Sequence, residues 1–86
     1  MKIKVVQDDI NRGQRADDKN CALTLAIRRC TKLENPSVSV GAVFYDSDAV
    51  YYRKYIDLPT DAWEWYKNFD HGCFVKPFEF ELDIPE

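Results

Sequence analysis

One histidine, three glycines and three cysteines in 86 residues leave few of the side chains from which active sites are built. An odd and small number of cysteines is no disulfide framework, so reduced thiols are expected. No apolar run approaches the roughly 20 residues needed to cross a bilayer, so no membrane partner is expected. The opening Met1-Lys2-Ile3-Lys4 has no apolar stretch suited to export, and a cytoplasmic address is the expectation. The strong basic excess of generic nucleic-acid binders is also missing: net charge is −3. Repeats, low-complexity tracts and linkers are absent from the sequence, which predicts a single domain over residues 1–86.

What is present is a folding composition. Hydrophobic residues make up 45% of the chain, aromatics 14% and charged residues 31%, which is unlike a disordered segment. A chain this short buries only about 60–65% of the surface its unfolded form exposes, so each large apolar residue counts. Charge is unevenly spread. Residues 1–36 hold eight Lys/Arg against five Asp/Glu, whereas residues 37–86 hold four against ten. The acidic half can bias which surface meets a partner.

Lys2 to Val6 alternates charged and apolar residues, the period of a half-buried strand. Asp8 is placed to cap a short turn over Asp9 to Arg12, with Gly13 free to end it at positive φ, and Gln14 to Lys19 reads as a loop. Cys21 to Cys30 predicts the central helix, capped by Asp18 or Asn20 and closed near Asn35-Pro36. Val38 to Tyr45 reads as one strand, Asp46-Ser47-Asp48 as a turn, and Val50 to Ile56 as a tyrosine-rich second strand. Thr60 is expected to cap a helix over Ala62 to Phe69 that Gly72 terminates. Phe78, Phe80, Leu82 and Ile84 alternate with Glu79, Glu81 and Asp83, the clearest amphipathic strand of the chain. The predicted fold class is α+β in the order β-α-β-β-α-β, a mainly antiparallel sheet with two helices on one face.

Four residues add up to a zinc set on paper: Cys21, Cys30, His71 and Cys73. Structural zinc sites bring ligands in close pairs, and two cysteines nine apart on a helix do not form one, so no metal or other cofactor is expected. A cysteine nucleophile paired with His71 lacks a third group to orient the imidazole. The carboxylate pairs Asp8/Asp9, Asp17/Asp18 and Asp46/Asp48 fall in polar turns, and Glu79/Glu81/Asp83 on an exposed strand face, so no residue set points to catalysis.

Tyr45, Tyr51, Tyr52 and Tyr55 with Arg53 and Lys54 suggest the aromatic platform of RNA-recognition sheets, but without that family's Gly-aromatic pattern and in the acidic half. Exposed Tyr, Trp and Arg more ordinarily mark a protein-binding surface. Two tryptophans on one short helix crowd a small core, so Trp63 is expected to face solvent or a partner if Trp65 packs inward. Tyr51, Arg53, Tyr55, Trp63, Glu79 and Glu81 are therefore the candidate partner-binding residues, the glutamates as an acidic patch for a basic groove.

The chain resembles a group of short phage and prophage accessory proteins. The features are the opening strand with Asp8-Asp9-Ile10 and Gly13, the helix Cys21-Ala22-Leu23-Thr24-Leu25-Ala26-Ile27-Arg28-Arg29, Leu58-Pro59 before a helix, and Phe69-Asp70-His71-Gly72 followed by Pro77-Phe78-Glu79-Phe80-Glu81-Leu82. Ala22 stands where the group often has proline, and the tyrosine-rich hairpin is particular to this chain. The resemblance implies a non-catalytic inhibitor that occludes a host protein or complex such as a CRISPR effector, in the manner of anti-CRISPR and other anti-defence proteins, and it transfers no site residues. The alternative is a nucleic-acid-associated regulator using the tyrosine sheet with Arg28, Arg29, Arg53 and Lys54.

Overall fold

The computed structural model describes residues 1–46 and 53–84. The elements run β1 (Lys2–Val5), α1 (Gln7–Arg12), α2 (Ala22–Cys30), β2 (Glu34–Ser39), β3 (Ala42–Asp46), β4 (Lys54–Asp57), α3 (Thr60–Asp70) and β5 (Phe78–Glu81). The α+β class and antiparallel pairing are as expected. The order differs by one short helix and one strand, and the strands divide into two sheets, β1-β5 and β2-β3-β4.

The first and last strands pair antiparallel, with Ile3 opposite Phe80 on the buried side and Lys2 and Lys4 opposite Glu81 and Glu79 on the outer side. Opposed charges on the exposed face favour this register, and a slip by one residue would turn the apolar set outward. The core lies between the sheets and α2: Ile3, Leu23, Ile27, Val38, Val43 and Leu82 are essentially inaccessible. Each such side chain contributes about 1.5–3 kcal/mol by leaving water.

The helix N-caps differ from those expected, and only that of α2 is made by the cap's own side chain. Val6, not Asp8, is the N-cap of α1, and its N–H donates to Asp9 Oδ2 at 3.0 Å. Cys21, not Asp18 or Asn20, caps α2: its sulfur accepts from Thr24 N–H at 3.5 Å. Asp18 serves through its backbone, its carbonyl accepting from Thr24 Oγ1 at 2.6 Å and from Val38 N–H at 3.0 Å. Pro59 precedes the first turn of α3, making Thr60 the first helical residue. Gly13 does not adopt positive φ; it is extended at φ −66°. Its lack of a side chain matters for space, since a Cβ there would stand 2.7 Å from Ala22 N. Gly72, at φ 79°, does end α3 as expected.

The expected strand Val38 to Tyr45 is two strands joined at Val40-Gly41. Both turn residues have positive φ, 44° and 80°, the primed geometry that matches the twist of a two-residue hairpin. Asn35-Pro36 does not close the helical segment but lies inside β2, where the pairing register shifts between Glu34 and Ser37 and Asn35 takes φ 47°. β3 then pairs with β4, with Val43 opposite Ile56 and Phe44 opposite Tyr55. The expected turn at Ser47-Asp48, and Val50, Tyr51 and Tyr52 of the expected second strand, lie outside the described residues.

Candidate protein-binding surface

β-strand alternation sorts the three-stranded sheet into two faces. Val38, Val43 and Ile56 turn toward the core, and Ser37, Phe44 and Tyr55 turn away from it. On that outer face Tyr55 is 62% exposed and its ring meets Phe44 at 6.0 Å in a tilted pair. Beside them Arg53 reaches back across the sheet. Its Nε lies 3.1 Å from Asp46 Oδ1, its Nη1 donates to Ser37 Oγ at 3.2 Å, and its Nη2 donates to the Phe44 carbonyl at 3.1 Å and to the Asn35 carbonyl. The guanidinium thus clips β4 to β3 and β2 and bridges the irregular stretch of β2.

A groove of about 630 Å³ runs along β4, lined by Tyr45, Arg53, Lys54, Tyr55, Ile56 and Asp57, with Asp83 contributed from beyond β5. It combines aromatic and aliphatic walls with charges of both signs, a mixture typical of protein contact surfaces.

Trp63 is half-buried. It stacks on Tyr66 at 5.3 Å and lies under Gly41, with Lys67 Nζ 5.8 Å above its ring. Trp65 is also half-buried, stacked on Phe69 at 5.9 Å and Phe78 at 5.5 Å, and its Nε1 donates to the Lys76 carbonyl at 2.9 Å. Both tryptophans are therefore core-edge residues. Glu79 and Glu81 belong to the other sheet, facing Lys4 and Lys2, so the structure does not bring them together with Tyr55 and Arg53. Tyr51 lies outside the described residues. Val40 was missed in the sequence: it is 81% exposed at the tip of the β2-β3 turn.

The chemistry-bearing residues are dispersed. Cys21 is fully buried, and burial pushes its thiol up, against the weaker pull of Thr24, whose Oγ1 is 3.1 Å from the sulfur. Cys73 and His71 are exposed beyond α3. Among the described residues no three His, Cys, Asp or Glu side chains are grouped to hold a metal ion, and no helix is long and apolar enough to cross a membrane.

The arginines of α2 are occupied elsewhere. Arg29 pairs with buried Asp9 at 2.7 Å and donates to the Lys4 carbonyl at 2.6 Å; the hydrogen bond to Asp9 raises its pKa further. Arg28 donates to the Lys19 carbonyl at 2.7 Å. Together with Asp8, Asp9 and Arg12 they line a separate cleft of about 210 Å³, away from the tyrosine-bearing sheet.

No family model matches the chain, and neither a curated protein nor a solved structure matches it.

Proposed function

We propose that this protein is a non-catalytic binding protein that inhibits a host protein by covering its surface, acting through the outer face of the three-stranded sheet. The observation that carries the reading is Tyr55, largely exposed, backed by Phe44 and set beside a groove along β4. A tyrosine held on a rigid sheet buries much area at little cost in conformational freedom, which is why such residues dominate interfaces. Arg53 is a fixed part of the same face because β2 and β3 hold its guanidinium. The resemblance to phage accessory proteins fits this role in the host cytosol, with a CRISPR effector or another defence complex as the kind of target.

The nucleic-acid reading draws less support from the geometry. Its cations are divided: Arg28 and Arg29 serve α2 and β1, and Arg53 serves the sheet itself.

A photo-crosslinking side chain at position 55, compared with one at Glu64 on α3, tests the proposal in bacterial cells. A discrete host-protein adduct formed from position 55 and not from 64 is expected, and Tyr55→Ala should weaken that complex by about 1–4 kcal/mol. Adducts with nucleic acid alone, or equal capture from both positions, would overturn it.

A further inference from the structure

A hollow of about 370 Å³ opens where α1, the loop after it and the segment after α3 meet, within the roughly 300–1,000 Å³ of small-molecule sites. Its apolar side is formed by Ile10, Phe69 and Val75, which belong to or pack against the core, and by Phe74, which is 86% exposed. The segment that carries Phe74 is held on both sides: Cys73 N–H donates to the Asn68 carbonyl at 2.9 Å, and the Lys76 carbonyl accepts from Trp65 Nε1 at 2.9 Å. An anchored backbone thus presents to water an aromatic ring that the chain itself does not cover.

Among the described residues Arg15 is the one charged side chain on the wall of the hollow, and it forms no ion pair with any of them. The residues on either side of it are pinned. Gln14 N–H donates to the Asn20 carbonyl at 2.9 Å, and Ala16 N–H donates to Asp70 Oδ1 at the end of α3. Ala16 takes φ 57° in this arrangement, a left-handed conformation uncommon outside glycine. The Arg15 guanidinium then lies across Gly72, where a Cβ would collide with Nη1.

We infer that this hollow binds a small aromatic carboxylate, with the ring against Phe74 and the apolar side and the carboxylate on the Arg15 guanidinium. The arginine fork matches a carboxylate with two parallel hydrogen bonds, and aromatic rings favour offset or edge contacts with one another. One cation fits a monoanion. A phosphate monoester carries about −1.5 to −2 charges, and the Asp70 carboxylate, held by the residue next to Arg15, opposes the excess. The hollow shares no lining residue with the groove along β4, so the inference goes beyond the proposed binding role and does not depend on it.

Titration of the isotope-labelled chain with hydrocinnamate, followed by backbone amide NMR, tests the inference against the primary amide of the same acid, a neutral probe of the same shape. Saturable shifts centred on Arg15, Gly72 and Phe74 are expected for the acid, with a dissociation constant below about 1 mM. The amide should bind at least about tenfold more weakly. Arg15→Gln and Phe74→Ser, both at exposed positions, should keep the wild-type melting temperature and weaken binding of the acid at least about fivefold. Bound acid should also slow alkylation of Cys73, an exposed thiol on the same wall. Shifts that do not saturate by about 10 mM overturn the inference. So do equal affinities for acid and amide, variants that bind as the wild type does, or a Cys73 alkylation rate that the acid leaves unchanged.

Discussion

The two sheets are finished differently. In the β1-β5 sheet the free edge of β1 is partly closed by Arg29, which donates to the Lys4 carbonyl, with Cys30 Sγ 3.9 Å from the same oxygen. The N-terminal amine of Met1 donates to the Leu82 carbonyl at 3.0 Å and lies 3.4 Å from Glu81. In the β2-β3-β4 sheet the outer strand β4 presents an exposed tyrosine, and the β2-β3 turn has an exposed valine at its tip. The first sheet spends its side chains on closure. The second leaves them available, and that contrast is the physical basis for locating recognition there.

The same substitution made in each sheet gives the largest expected difference. Phe80→Asp places a carboxylate opposite Ile3 in the core and is expected to cost several kcal/mol, enough to unfold a domain of this size. Tyr55→Asp, on the open sheet, should stay within about 0.5 kcal/mol of wild type in the same thermal melt. A native-like, cooperative melt of Phe80→Asp would mean that the β1-β5 register is wrong by one residue.

The closed side is also intolerant of added volume where α1 hands over to α2. Gly13→Ala puts a methyl group 2.7 Å from Ala22 N and 2.9 Å from the Asp9 carbonyl, both backbone atoms that cannot step aside cheaply. A loss of about 1–3 kcal/mol in denaturant unfolding is expected. An unchanged midpoint would show that this junction is looser than the packing implies.

Alkali probes the core that both sheets share. Tyr66 is 7% exposed, and burial pushes its pKa up to about 12, with negative charge at Cys21 and Asp70 adding to the effect. The unfolded chain gives up this proton near pH 10, before the folded one does. Stability should therefore fall as pH rises from about 10 to about 12 and level off above that, by up to about 2 kcal/mol. The test is the difference in unfolding free energy between wild type and Tyr66→Phe across that range. Parallel pH profiles would remove burial of the hydroxyl as the cause.

How far the sequence could be read follows the same division. β5 was legible because Phe78 to Leu82 alternate without interruption and the outer residues all carry one sign. The central helix was legible from its run of good helix formers, although its cap was not. A cysteine is an uncommon N-cap; of the expected ones, Asn20 donates its Nδ2 to Asp17 Oδ2 at 3.1 Å within the loop, and Asp18 acts through its backbone carbonyl. The β2-β3 hairpin was hidden because its turn carries valine where asparagine or glycine gives the signal. The alternation also reads as unbroken from Val38 to Tyr45, while a two-residue turn shifts its phase, so that Val38 faces Val43 and not Ala42. Of the site, Tyr55 and Arg53 could be named from residue type. Arg53's engagement with β2 could not, because it depends on the register shift near Asn35.

That hidden turn supplies the smallest effect. Val40 holds φ 44°, a region in which a β-branched side chain crowds its own backbone, yet it is 81% exposed and gains little from packing. Asparagine suits the first position of this turn type and keeps Gly41 in the second. Val40→Asn should therefore stabilise the domain by about 1 kcal/mol, seen as a raised melting temperature. If the same variant also weakens capture at position 55, the exposed valine is part of the recognition surface, and its strain is kept for contact. If capture is unchanged, recognition is confined to the β4 side of the sheet and the turn serves only to reverse the chain.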